Sequence, residues 1–357
     1  MTTGDPYDAL AGRLGFPGST LLRSILQMLM TSQQARLAEA LPGSVAEVAA
    51  KTGVPEEEAR RELDALYYKG IAFPSGDFND RDYFRFARHI IQLHDSTLSG
   101  RQVDIEKDRA FFQKWQDFCR EEMYPRLAAM FRAVNVRLSR VIPAHNAIRD
   151  LPGVLPCEDF HQILKAQPLI AVVPCSCRTR TTAVGEQCAH TAEAETWHCL
   201  QFGRGAEYVL NRGSGRRLTL EQALALCDVI EDDGLIHRWA NNANLTGVNT
   251  SCQCCRDCCE EYVSLDTGDI PVADWWEKSR YEAYMADVDS CTGCQDCVDR
   301  CQFDAITMAK VEGSKRLKAS ICADKCFGCG ACVVGCPPES LKMRAVRPPE
   351  FIPGAVS

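Results

Sequence analysis

Residues 291–301 read CTGCQDCVDRC, and residues 326–337 read CFGCGACVVGCP. Both runs space four cysteines as C-x-x-C-x-x-C-x-x-x-C: Cys291, Cys294, Cys297 and Cys301, then Cys326, Cys329, Cys332 and Cys336, with Pro337 following. Thiols two residues apart are carried on one loop, which suits a metal centre better than a disulfide framework. Zinc sites use four ligands in paired knuckles and do not account for two runs of four with a Cys-Pro end. Gly293, Gly328 and Gly330 leave room for backbone amides to approach the bound group.

The two runs together resemble the bacterial dicluster ferredoxins, in which the fourth cysteine of each run ligates the other cluster. The resemblance covers about residues 285–345. It implies one 4Fe–4S cluster on Cys291, Cys294, Cys297 and Cys336, and a second on Cys326, Cys329, Cys332 and Cys301. The crossed ligands place the two clusters close enough to exchange electrons. Gln302 stands where a proline would follow the first run, which leaves the ligands in place but alters the turn. Cys322 has no place in the pattern and reads as a bystander.

Upstream lies a second cysteine-rich region. PCSCRTRTTAVGEQC begins at Pro174 and supplies Cys175, Cys177 and Cys188; Cys199 follows, with His190 and His198 nearby. SCQCCRDCCE supplies Cys252, Cys254, Cys255, Cys258 and Cys259. The preferred reading puts one cluster on Cys175, Cys177, Cys188 and Cys199, and another on four of the five later thiols. Adjacent residues of a strand face opposite sides, so Cys254 and Cys255 can serve different centres and the two patches can share ligands. Structural zinc on Cys175, Cys177, Cys188 and His190 is the alternative. Arg178 is read either as a donor to a cluster, raising its potential, or as the partner of a surface carboxylate. As a whole, a C-x-C-R element, a capped helix and a C-x-C-C-x-x-C-C element resemble an arrangement in multicluster iron–sulfur proteins of anaerobes, where it precedes a dicluster ferredoxin domain. That resemblance implies a cofactor and a redox role.

The chain has 357 residues, 21 cysteines and a net charge of −8, with 46% apolar and 25% charged residues. Such a composition is that of an ordinary globular protein of two or three domains. The start MTTGDPYDAL carries neither a basic n-region nor an apolar h-region, and no apolar run is long enough for a membrane span, so the expected location is cytoplasmic. The acidic balance disfavours nucleic acid and suits docking on basic patches of redox partners. Cys119, Cys157 and Cys227 stand apart from both clusters of thiols and read as buried small hydrophobes.

Residues 19–86 read as three helices and a hairpin, an order that resembles a winged helix. Ser44 and Glu47 form a capping-box pair, Gly53 and Gly70 are stops, and IAFPSGDFNDRDYFRFA makes two strands about a Ser-Gly-Asp turn. Glu56, Glu57 and Glu58 open the third helix and would repel DNA phosphates, so a protein-docking or scaffold role is expected. Residues 105–135 carry an amphipathic stripe through Phe111, Trp115, Phe118, Leu127, Met130, Phe131 and Val134, interrupted by Pro125. Thr219 and Gln222 cap the helix LTLEQALALCDVIEDDG, and NRGSGRR reads as a loop. GRGAEYVLNRGSG lacks the strand–turn–helix context of a nucleotide loop, so no flavin or nicotinamide is expected on this chain.

The sequence thus predicts an α+β, multidomain protein. A winged-helix-like module spans 1–90, a helical extension 91–140, a cysteine-rich domain 141–270 and a ferredoxin-like domain 271–357. The expected function is electron transfer, as a carrier or as a subunit working with a flavoprotein or metalloenzyme in a homo-oligomer or hetero-complex. A reductase with an open iron site is the runner-up, distinguished by three thiolates on a cluster instead of four. A redox-responsive regulator is the third reading.

Overall fold

A computed structural model describes residues 4–100, 104–134, 136–191 and 197–355. The first three residues of the N-terminal module, 101–103 of the helical extension and position 135 at the end of the aromatic stripe lie outside the described residues.

The N-terminal elements follow from their caps. Ser44 Oγ accepts from the Glu47 amide at 3.2 Å and Glu47 Oε2 accepts from the Ser44 amide at 2.8 Å, opening the helix Val45–Thr52. Gly53 ends it at φ 72°, and Gly70 ends the helix Glu56–Lys69 at φ 81°, conformations that cost glycine little. Strands Ala72–Ser75 and Tyr83–Phe86 pair antiparallel, and the second also pairs with Gly43–Ser44. Glu58 and Glu62 accept hydrogen bonds from Gln33 and Gln34 of helix Ser32–Glu39, so part of this acidic face is taken up inside the module.

The helical extension bends without breaking. Helix Arg109–Phe118 passes through a widened π turn, Cys119–Met123, into Tyr124–Ala133, with Pro125 in the first turn of the last helix where its missing N–H costs nothing. Trp115, Phe118, Leu127 and Phe131 are buried, whereas Met130 is 44% exposed and leaves the expected stripe. The π turn rotates the second half of the helix enough to turn this position outward.

Among the described residues, the middle region is a seven-stranded sheet. Its order is Trp276–Glu277, Ser139–Ile142, Ile236–Ala240, Thr250–Cys254, Cys199–Phe202, Ile170–Val173 and Arg216–Leu218, with only the first pair parallel. One expectation is corrected here. NRGSGRR is not all loop, because Arg216–Leu218 pairs with Ile170–Val172 as an edge strand. Strand Cys199–Phe202 runs straight into helix Gly203–Asn211 with no intervening turn. There Gly205 serves packing: a Cβ would come within 2.5 Å of the Asn249 carbonyl.

The C-terminal region pairs Tyr281–Met285 with Leu341–Ala345 and Ile306–Ala309 with Lys318–Ile321, and each cysteine run contributes a four-residue helix, Asp296–Asp299 or Ala331–Val334. Arg300 fastens this region to the last turn of helix Leu220–Asp232 in the middle region, donating to the carbonyls of Glu231 and Asp232 at 2.7 Å each. Helices and mixed sheets together make the chain α+β.

Candidate metal centres

Both C-terminal runs fold around a hollow. One is lined by Cys301, Cys326, Cys329 and Cys332, the other by Cys291, Cys294, Cys297 and Cys336, so each takes three thiols from one run and one from the other. Soft sulfur donors converging on small enclosed spaces fit iron–sulfur clusters. Gly328 has φ +69°, and a Cβ there would lie 2.1 Å from the Tyr281 carbonyl oxygen; its glycine is demanded by the neighbouring strand. Cys322 is exposed and lines neither hollow. Gln302 is buried, donating to the Gly234 carbonyl at 2.7 Å and accepting from the Arg256 amide at 2.8 Å.

The nine upstream thiols divide into two groups, and the division differs from the expected foursome. Cys188 lies with Cys255 and Cys258: its sulfur is 3.7 Å from that of Cys255, and the donor atoms of all three and of Asp257 lie within 4.8 Å of one another. The remaining six form the other group. Cys254 and Cys259 sulfurs are 3.6 Å apart, Cys252 bonds to Cys199 and Cys254, and Cys175 bonds to Cys177. The backbone explains the split. Cys252 and Cys254 share one face of strand Thr250–Cys254, while Cys255 begins the turn beyond it. Cys175 and Cys259 each sit at the N-cap of a helix, Ser176–Ala183 and Glu260–Thr267. His190 Nδ1 lies 3.3 Å from the Asp233 carbonyl, so the thiols and histidine of the zinc alternative are not gathered as one set.

Arginines attend both groups. Arg178 is 1% exposed; its Nε donates to Cys255 Sγ at 3.4 Å, and its Nη atoms reach His198 Nδ1 and the Gln253 carbonyl. None of these partners is a surface carboxylate. Arg238 Nη2 donates to Cys252 Sγ at 3.1 Å. Hydrogen bonds from Cys199 and Cys254, joined by the Arg238 charge, hold the Cys252 thiol well below its ordinary value against the cost of burial. Cys175 is drawn down to about 6, chiefly by its bond from Cys177 and then by Arg178. The same bonds push the partner thiols Cys177, Cys199 and Cys254 well up, so in each pair one sulfur is held as the thiolate and its neighbour keeps the proton that metal binding would displace.

Sequence reasoning missed several neighbours. Arg180 is fully buried and donates to Gln116 Oε1, Cys119 Sγ and Tyr124 Oη. Tyr262 is also fully buried, and burial together with the Cys254, Cys329 and Cys259 thiolates pushes its hydroxyl well up. It shares a buried core with Cys254 and Cys259, and Cys329 of the dicluster domain packs against that core. Its ring centroid is 4.6 Å from that of Trp276 and 6.1 Å from that of Phe303, which stacks on Phe327 at 4.2 Å. A conserved-looking motif could not have flagged these residues, because only the fold brings them to the thiols. Of the three solitary cysteines, Cys119 and Cys227 are buried as expected and Cys157 is half-buried.

A cavity of about 780 Å³ opens between the N-terminal module and the middle sheet. Thiols including Cys175, Cys199, Cys252 and Cys258 line it, together with Phe73, Tyr208 and the arginines Arg85, Arg88, Arg204 and Arg212. Among the described residues, no helix is long and apolar enough to cross a membrane.

No curated protein and no solved structure matches the chain. Residues 290–340 match the family described as the 4Fe-4S dicluster domain, the stretch that contains both thiol-lined hollows. The chain is thus an iron–sulfur protein with a 4Fe–4S dicluster domain near its C-terminus.

Proposed function

We propose that this chain is a multicluster electron-transfer protein, passing single electrons between its dicluster domain and further iron–sulfur centres in the middle domain. A 4Fe–4S cluster supplies one-electron redox chemistry wherever four thiolates hold it. In the C-terminal domain, Cys291, Cys294, Cys297 and Cys336 would hold one, and Cys326, Cys329, Cys332 and Cys301 the other. In the middle domain, Cys188, Cys255 and Cys258 would hold one centre, and the group Cys175, Cys177, Cys199, Cys252, Cys254 and Cys259 another.

The observation that carries this reading is Tyr262. It belongs to one buried core with Cys254, Cys259, Trp276, Phe303 and Phe327, and Cys301 and Cys329 of the dicluster domain pack against that same core. The residues of the chain exclude water there with Tyr262, Trp276, Phe303 and Phe327, which lowers the cost of reorganising solvent on electron transfer. Arg178 and Arg238 set the charge around the middle-domain thiolates. The winged-helix-like module would serve for docking a redox partner in a cytoplasmic complex. The test is iron, sulfide and zinc per chain on anaerobically purified protein, with EPR of the reduced state. Between about 12 and about 16 iron atoms per chain are expected. About eight, with only ferredoxin-type signals, would sink the middle-domain centres.

A second reading, a reductase, is favoured by one specific feature. The Cys188 group offers three thiols with Asp257 as its fourth donor, and Cys255 and Cys258 line the large cavity. An iron left without a fourth thiolate could take a small molecule, and the arginines of the cavity would favour an anionic one. Under this reading cyanide or carbon monoxide changes the EPR signal of one centre; under the relay reading no signal moves.

A further inference from the structure

Cys227, Glu231 and His237 converge on a single point inside the middle domain and form a set distinct from the two groups of upstream thiols. Cys227 and Glu231 lie four residues apart on one face of helix Leu220–Asp232, and His237 faces them from strand Ile236–Ala240. All three are buried, at 0%, 1% and 2% exposure.

The separations of their donor atoms are informative. Cys227 Sγ is 3.5 Å from Glu231 Oε1 and 3.6 Å from His237 Nε2, and Nε2 is 3.3 Å from Oε1. Tetrahedral zinc, with bonds of about 2.3 Å to sulfur and about 2.0 Å to nitrogen and oxygen, requires edges of about 3.5, 3.5 and 3.3 Å. Of the other histidine–carboxylate contacts in this protein, His145–Asp159 and His94–Asp95 close to 2.8 and 2.9 Å while His94–Glu260 stands at 3.3 Å, so it is the match of all three edges together that fits a shared ion.

The tautomer points the same way. Ser251 Oγ donates to the Arg238 carbonyl at 2.9 Å and so accepts from Gln253 Nε2 at 3.2 Å. Gln253 therefore turns its carbonyl oxygen to His237 Nδ1, 2.5 Å away, which must donate. With Nδ1 donating, a neutral ring turns its Nε2 lone pair toward a carboxylate oxygen and a sulfur, a set of donors that a bound cation would draw together. A ligating histidine whose other nitrogen donates to a fixed acceptor is the usual support of a metal site. Phe160, stacked on the His237 ring at 4.2 Å, holds its plane.

We propose that Cys227, Glu231 and His237 bind one zinc ion, with water in the fourth position. A thiolate, a carboxylate and a neutral imidazole balance a dication, so the buried site is electrically neutral. Thiolate with imidazole selects zinc over magnesium or calcium. The remaining Glu231 oxygen accepts from Asn146, and the Glu231 carbonyl accepts from Arg300, so the ion would stiffen the junction between the middle sheet and the dicluster domain.

The test is zinc content and zinc-edge X-ray absorption on the anaerobically purified, iron-loaded chain expressed with zinc in the medium. One zinc per chain is expected, with a shell of one sulfur and three nitrogen or oxygen atoms. Glu231→Gln and Cys227→Ser should each lower zinc occupancy at least tenfold while leaving iron per chain unchanged. A zinc-free chain with its iron loaded would overturn the proposal. So would zinc in an all-sulfur shell, which would place it in the cluster sites instead. The wild-type spectrum decides even if a variant fails to fold, and because iron is counted separately, the outcome is independent of the electron-transfer reading.

Discussion

The sulfurs of Cys188 and Cys255 lie 3.7 Å apart although 67 residues separate them in the chain. This contact takes Cys188 out of the company of Cys175, Cys177 and Cys199. Replacing Cys188, Cys255 or Cys258 with serine is therefore expected to alter one and the same EPR signal and to remove up to about four iron atoms. Cys199→Ser should alter a different signal. If Cys188→Ser and Cys199→Ser perturb one common centre, the grouping is wrong.

Arg178 Nε donates to Cys255 Sγ, and its charge favours whichever state of the centre is more negative, the reduced one. Arg178→Gln should lower the midpoint potential of that centre by on the order of 50 mV, equivalent to about 1 kcal/mol for one electron. The potentials of the dicluster domain serve as the internal control in the same redox titration. An unshifted potential with reduced thermal stability would reduce Arg178 to a packing role.

Cys322 is exposed, whereas burial pushes the Cys119 thiol up to about 12, only partly opposed by Arg180. Iodoacetamide on the native, cluster-loaded protein should label Cys322 and spare Cys119 until the chain is unfolded. Cys322→Ser should retain every cluster. Loss of a centre in that variant, read by iron content, would make Cys322 a ligand after all.

His94 Nε2 accepts from Arg180 Nη1 at 2.6 Å, so the ring is neutral in the fold. Burial, reinforced by the Arg180 charge and only partly opposed by Asp95, holds its pKa below 6.5. The unfolded chain then binds a proton near 6.5 that the folded chain refuses. Stability should accordingly fall with acidification below that value, by up to about 1.4 kcal/mol per pH unit until the folded pKa is reached. Urea midpoints compared for the wild type and His94→Gln between about pH 7 and about pH 5 check this: the variant's slope should be shallower. Equal slopes would mean that the ring takes up its proton equally readily in the folded and unfolded chains.

What could be read from the sequence was local. The two hollows of the dicluster domain follow from cysteines within a dozen residues of each other, closed by one crossed ligand per run. Ser44–Glu47 and Thr219–Gln222 were legible as capping boxes because both halves of each lie within one helical turn. In the middle domain the parting of Cys254 from Cys255 was legible from strand alternation, but the placing of Cys188 was not, because it depends on where the loop after Val184 returns and on which residues oppose each other across strands, such as Arg238 and Cys252. Cys227 read correctly as buried. Its spacing from Glu231 and His237, C-x-x-x-E followed by histidine six residues on, was the available signal, and it gains meaning only when the strand folds back on the helix. The edge strand Arg216–Leu218 escaped notice because three residues are too few to show an alternating pattern.

Arg300 and Gln302 together occupy the carbonyls of Glu231, Asp232 and Gly234, so the dicluster domain is bolted to its neighbour at the position where a proline would have offered no side-chain bond. Domains that swing between a docking site and a delivery site slow down as the solvent thickens, because each electron waits for diffusion. Here the two thiol-bearing regions are held in one frame, and under the proposed electron-transfer function internal transfer should proceed at the same rate in buffer and in concentrated sucrose.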